Sequence, residues 1–156
     1  MISKEIRIPY YECDSLHELP PEVQELVALA RDAARKAYAP YSDYHVGVAI
    51  ELNDGRRFFS NNQENKAYPS GLCAERVGLF FVQANHPDAV IRRMVVLAHE
   101  NGELSEVPAY PCGACRQVMV ECQERQIQPF EVWIVGRLRI LMVDSADRLM
   151  PLKFTF

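Results

Sequence analysis

Apolar positions Val23, Leu26, Val27, Ala30, Ala33, Ala34 and Ala37 recur every three or four residues, with Glu22, Glu25, Arg31 and Lys36 between them. That period predicts an amphipathic helix opened by Pro20-Pro21 and closed by Pro40. The period then drops to two: Val46, Val48 and Ile50 alternate with smaller residues. Asn53-Asp54-Gly55 supplies a tight turn, and Arg56–Ser60 returns as the second arm of a β-hairpin. Residues 61–72 read as a polar loop. Cys73–Asn85 reads as a helix stopped before Pro87. Arg92–Ala98 reads as a strand, and Pro111 introduces a helix from Cys112 to Arg125. Phe130–Val135 and Leu138–Val143 are two more strands joined by Gly136-Arg137. So short a connection joins only antiparallel neighbours, because a parallel return needs a crossover of about a dozen residues. A short helix over Ser145–Met150 leads to a tail from Pro151 to Phe156. The order α-β-β-α-β-α-β-β-α predicts an α/β fold: a three-layer α-β-α sandwich with a mixed five-stranded sheet. Residues 1–19 form an extended or irregular N-terminal arm before a single domain over 20–156.

Composition narrows the function. The net charge is −4 over 156 residues, and the lysines and arginines are scattered among acids. Polynucleotide binding draws most of its affinity from a basic face, so no nucleic-acid partner is expected. Charges at Lys4, Glu5 and Arg7 interrupt any leader-like stretch, and no apolar run reaches membrane-spanning length, so no membrane association is expected. A cytoplasmic location follows. In that reducing compartment five cysteines, an odd number, point to metal or redox chemistry rather than disulfides.

Three of those cysteines open helices. Cys73 is followed by Ala74-Glu75-Arg76, and Pro111 by Cys112-Gly113-Ala114-Cys115-Arg116. Free N–H groups and the helix dipole at such starts stabilise thiolate, the form that binds zinc. Three thiolates leave the fourth tetrahedral position open, as in a catalytic site. Zinc with three thiolates carries one excess negative charge, which Arg76 and Arg116 are placed to offset. Glu75 shares the first turn with Cys73, so its carboxylate can reach a water at the metal without being a ligand. Cys or His, one residue, Glu, then Pro-Cys-x-x-Cys is the signature of zinc-dependent nucleobase deaminases.

With Ala39-Pro40-Tyr41-Ser42, Val46-Gly47-Val48-Ala49, Asn62-Gln63-Glu64-Asn65, Tyr68-Pro69 and Leu149-Met150-Pro151, the chain resembles the small cytidine deaminase family from about residue 22 to 154. The resemblance implies hydrolytic deamination of cytidine or deoxycytidine to the matching uridine. It also implies one zinc per chain on Cys73, Cys112 and Cys115, with Glu75 as the proton shuttle. Asn62 and Glu64 would hold the sugar, Tyr44 and Ala74 would line the nucleoside site, and Arg76 would pair with ligand thiolates. The assembly implied is a homotetramer in which Phe154 reaches a neighbouring active site. Two segments depart from the family. Tyr44-His45 stands where Phe-Pro is usual, and Lys66-Ala67 stands before Tyr68-Pro69 in place of Ala and Cys or Ser.

Other readings remain at this point. Cys112-x-x-Cys115 alone fits a thioredoxin-like redox pair, but that leaves Cys73 and Glu75 without a role. A structural zinc site would need a fourth ligand such as His45, His86, His99 or Cys122, none suggestively spaced, and a non-catalytic zinc module in protein interactions would have no need of Glu75 beside the metal. A deaminase of another aminopyrimidine is compatible with the departures at Tyr44-His45 and Lys66. The antiparallel last pair of strands disfavours the tRNA adenosine deaminases, which run them parallel. Cys13 and Cys122 read as ordinary residues.

Overall fold

The computed structural model describes residues 1–154; Thr155 and Phe156, the end of the expected tail, lie outside the described residues. The first long helix, α1 (Pro21–Ala34), starts at the proline pair and buries Val23, Leu26, Val27, Ala30, Ala33 and Ala34. It stops six residues short of Pro40. The amides of Lys36 and Ala37 bond three residues back, to Ala33 and Ala34, and Tyr38 N–H turns away to the Asn62 carbonyl. Ala37 therefore continues the apolar period without continuing the helix.

The hairpin forms as β2 (His45–Leu52) and β3 (Arg57–Asn61), followed by α2 (Ala74–Asn85) and β4 (Ile91–Glu100). Next come α3 (Gly113–Gln126), β6 (Glu131–Val135) and β7 (Ile140–Val143). The sheet has seven strands rather than the expected five. Both additions are too short to show a period: β1 (Tyr11–Cys13) and β5 (Glu103–Leu104). β1 pairs with the β7 edge, Tyr11 opposite Met142, so part of residues 1–19 belongs to the sheet. β5 folds back on the end of β4. The path through the rest is β1-β7-β6-β4-β2-β3. Only β4 and β6 run parallel; β6 and β7 are antiparallel, as their short connection requires. That connection spans 136–139 rather than two residues, because Gly136 N–H bonds the Arg139 carbonyl. The last short helix is a single 3-10 turn, Ala146–Leu149.

Alternation along the central strands gives the sheet two apolar faces. Val48, Ile50, Met94, Val96, Val132 and Ile134 pack with Leu79 and Val82 of α2 and Met119 and Val120 of α3. Ala49, Val95, Leu97 and Val135 pack with α1 on the other side. Gly47 lets α1 lie close: a Cβ there would stand 1.9 Å from the Ala30 carbonyl oxygen. Among the described residues no helix is long and apolar enough to cross a membrane.

Among the described residues with a left-handed backbone, Ile127 is the one that is β-branched. Ile127, the C-cap of α3, has φ of 61° and is 90% exposed. A β-branched residue in the left-handed region costs about 1–2 kcal/mol, and here no packing offsets it. Ile127→Gly is expected to raise stability by about 1 kcal/mol, read as a higher denaturation midpoint with unchanged turnover.

Candidate active site

Cys73 and Cys112 are the N-caps of α2 and α3, both with extended backbone. Neither side chain makes a capping bond, so both sulfurs stay available. Packing α2 beside α3 on one face of the sheet brings the two caps together, and Cys115 joins from the first turn of α3. The three Sγ atoms lie within 4.8 Å of one another, and those of Cys112 and Cys115 are 3.5 Å apart. Tetrahedral zinc–thiolate geometry, with bonds of about 2.3 Å, separates sulfurs by about 3.8 Å. Among the described residues no histidine, fourth cysteine or carboxylate completes this group. The set is therefore a three-sulfur cradle, unlike a closed structural site.

The protons on these sulfurs show how the cradle is poised. Cys73 is pulled down to about 5, first by a hydrogen bond with Cys115 and then by the Arg76 guanidinium. Cys115 moves the opposite way, because it keeps the shared proton and is buried beside Glu75. The opposite directions at Cys73 and Cys115 reflect one short contact between their sulfurs, in a set whose donors suit a soft cation. Arg76 Nη2 approaches Cys73 Sγ at 3.8 Å, while its buried Nε has no hydrogen-bond partner. A cation aimed at the sulfurs with an unused donor fits a cluster that carries one net negative charge when three thiolates hold a zinc ion. Donor chemistry, spacing and Arg76 together fit zinc.

Glu75, in the first turn of α2, is only 4% exposed. Burial pushes its carboxyl above the usual carboxylate range, and the Cys73 thiolate adds to the rise. Ala74 is fully buried, and its carbonyl accepts the Ser60 hydroxyl at 2.8 Å. Tyr44 is half-buried, and its phenol is raised by burial and by the nearby carboxylates Glu100 and Glu75.

A cavity of about 420 Å³ reaches the cradle at Cys73 and brings together Asn62, Glu64, Cys73 and Arg76, with Tyr41 and Tyr68 among its other walls. Asn62 is fixed from both ends of its amide. Its Oδ1 accepts Val46 N–H at 2.8 Å and its Nδ2 donates to the Tyr44 carbonyl at 2.9 Å. Glu64 accepts Tyr41 N–H at 2.8 Å and the Ser42 hydroxyl. That hydroxyl is the main reason its carboxyl is held below the usual range. Ser42 thus organises the site, a role that its place in Ala39–Ser42 does not reveal. Tyr44 instead borders a larger cleft of about 720 Å³ with Glu100, Glu103, Glu106 and Arg137. The sulfurs do not line that cleft, so it lacks the metal cradle that deamination needs.

Arg116 departs from the charge-offsetting expectation. Its Nε donates to the Pro111 carbonyl at 2.7 Å and its Nη1 to the Leu149 carbonyl at 3.2 Å. Two backbone oxygens engage the guanidinium, which ties the start of α3 to the last 3-10 turn. Phe154 is 68% exposed and lines neither cavity.

Residues 20–130 match the family model described as the cytidine and deoxycytidylate deaminase zinc-binding region. The chain belongs to the cytidine deaminase family. A cytidine deaminase of Halalkalibacterium halodurans is 39% identical over 132 residues, covering 85% of this chain and 93% of the relative. One from Sporosarcina psychrophila is 38% identical over 100 residues, covering 64% and 69%. Among solved structures, the cytidine deaminase of Burkholderia pseudomallei superposes with a TM-score of 0.71 at 34% identity, covering 87% of this chain and all of that one. That of Mycobacterium tuberculosis gives 0.67 at 27% identity, covering 88% of this chain. The family match starts at residue 20, so β1 and the residues before it precede the matched region.

Proposed function

We propose that this chain hydrolyses the exocyclic amine of cytidine and deoxycytidine, giving uridine or deoxyuridine and ammonia. The observation that carries this reading is the cradle of three sulfurs at two helix starts, with the buried Glu75 on the same turn as Cys73. One zinc per chain would be held by Cys73, Cys112 and Cys115, and Arg76 would balance the extra charge. Zinc, when bound, supplies a Lewis acid that lowers the pKa of water and so provides a nucleophile at neutral pH.

The protein's own groups do the rest. Glu75 takes a proton from the attacking water on its carboxylate and delivers it to the ring nitrogen beside the reacting carbon. It then helps the amine leave as ammonia. A carboxyl raised by burial suits this exchange, because its two protonation states are closer in energy at working pH than those of an exposed glutamate. Asn62 retains one N–H and one oxygen lone pair beyond its two backbone bonds, and Glu64 retains free lone pairs. Both can therefore hold sugar hydroxyls in the cavity that opens on Cys73. Tyr44 borders the neighbouring cleft, but Asn62 grips its carbonyl and its phenol feels the Glu75 carboxyl, which supports a ring at the edge of the nucleoside site. Ala74 would present its backbone there.

Arg116 in this reading tethers Pro111 and Leu149, which keeps its charge beside the helix start that carries Cys112 and Cys115. Residues 20–156 form the deaminase domain, with 1–19 as its arm. Phe80 and Phe81 on α2 are 47% and 50% exposed, and such an apolar face supports a homotetramer in which Phe154 meets a neighbouring site. Thiolate ligands suit a reducing, cytoplasmic setting.

The test compares cytidine with free cytosine, following uridine or uracil together with ammonia. Cytidine is expected to turn over with one ammonia per uridine, and cytosine at least about a hundredfold more slowly per unit kcat/KM because the sugar contacts are missing. Equal turnover of the free base would remove the nucleoside assignment.

A further inference from the structure

Ser60 sits near the middle of β3, opposite Val48, and is buried. Its hydroxyl donates to the Ala74 carbonyl at 2.8 Å. Ala74 lies between Cys73 and Glu75, so this bond clamps the peptide that joins the sulfur cap to the carboxylate. One turn further along α2 is Gly78, which is buried. A Cβ at that position would lie 2.5 Å from Ser60 Oγ and 3.1 Å from Ile50 Cδ1. Gly78 has no positive φ that would call for glycine, and a glycine inside a helix is unfavourable relative to alanine. The notch it leaves is filled by the Ser60 hydroxyl. Two features thus converge on one contact: a polar side chain aimed at the first turn of α2, and a helical glycine that makes room for it.

We propose that Ser60 is a positioning residue for the deamination site, seated in the Gly78 notch so that Cys73 and Glu75 keep a fixed relation. The proposal rests on the reading of Glu75 as proton carrier. Glu75 follows Ala74 directly and its carboxyl meets Cys115 of α3, so the setting of the Ala74 peptide bears on how the carboxyl stands against the sulfurs. The strand therefore registers the helix start directly, independently of the packing of Leu79 and Val82 further along α2.

The test uses Ser60→Ala and the double variant Ser60→Gly/Gly78→Ala in the zinc-loaded full chain. The double variant refills the notch with a methyl group and protects against a folding failure. Both are expected to lower kcat for cytidine by about tenfold with KM within about twofold, at one zinc per chain, as misplacement of a reacting group does. Gly78→Ala alone is expected to lose more, and adding Ser60→Gly is expected to recover the difference by removing the clash. Wild-type kcat in Ser60→Ala, whatever its melting temperature, would overturn the proposal. If the unmodified chain fails to deaminate cytidine, the reading of Glu75 falls, and cobalt(II) substitution then decides the positioning role. A ligand-field band displaced by Ser60→Ala supports control of the Cys73 turn, and an unchanged band overturns it.

Discussion

Glu75→Gln is expected to lower turnover of cytidine by about 10²–10⁴-fold or more while leaving one zinc per chain in place. The amide keeps the size of the carboxyl but cannot accept and return a proton. The three sulfurs stand on other residues, so metal content should not move. The same substitution has a second expected effect, on stability. Burial raises the folded-state pKa of Glu75 above its unfolded value. Such a group contributes stability that is fully present below the unfolded pKa and is lost as pH rises through the folded pKa. Above that folded pKa the metal-free wild type bears a buried carboxylate, which Gln replaces with a neutral amide. Metal-free Glu75→Gln should melt at or above wild type at pH 7, with the difference shrinking as the pH falls through the folded pKa. Retention of more than a tenth of wild-type kcat would rule out the proton-carrier role. A lower melting point for the metal-free variant at pH 7 would contradict the electrostatic account of the site.

Asn62→Ala is expected to damage both binding and structure. Removing the amide leaves Val46 N–H and the Tyr44 carbonyl without their side-chain partner. For two part-buried backbone groups the loss is about 1–3 kcal/mol in all. A sugar hydroxyl left unpaired in the cavity should raise KM for cytidine by about ten- to a hundredfold. The fall in kcat should be smaller, arising only through the loosened Tyr44. Chemical denaturation and steady-state kinetics on the same preparation separate the two effects. An unchanged KM in a destabilised protein would assign Asn62 to the scaffold alone.

The parts of the molecule that were legible in the sequence are those whose causes are local. A cysteine at each of two helix starts, the Asn53-Asp54-Gly55 turn and the short β6–β7 connection each carry their geometry in adjacent residues. What stayed hidden depends on contacts distant in sequence. β1 and β5 are too short to have a period, and they form because the β7 edge and the β4 end are there to pair with. The early end of α1 is set by Tyr38 pairing with Asn62, which no helical pattern reveals. Glu64 is aimed by Ser42, 22 residues away, and Ala74 is held by Ser60. Arg116 shows what adjacency alone leaves open. Adjacency to a ligand cysteine suggested charge compensation, yet on the first turn of α3 its side chain runs to Pro111 and Leu149. Arg76, also next to a site residue, does face the sulfurs. Position beside a ligand gives proximity of the backbone, and only the rotamer decides which group the charge meets.

The central claim is that three cysteine sulfurs hold the metal on which deamination depends. The most direct test is to strip the full chain with a chelator, return zinc in measured steps, and follow uridine formation from cytidine at each step. Stripped protein is expected to show no turnover, with a linear recovery that ends at one zinc per chain. Turnover that survives complete removal of the metal, or that never appears when one zinc is bound, would contradict it.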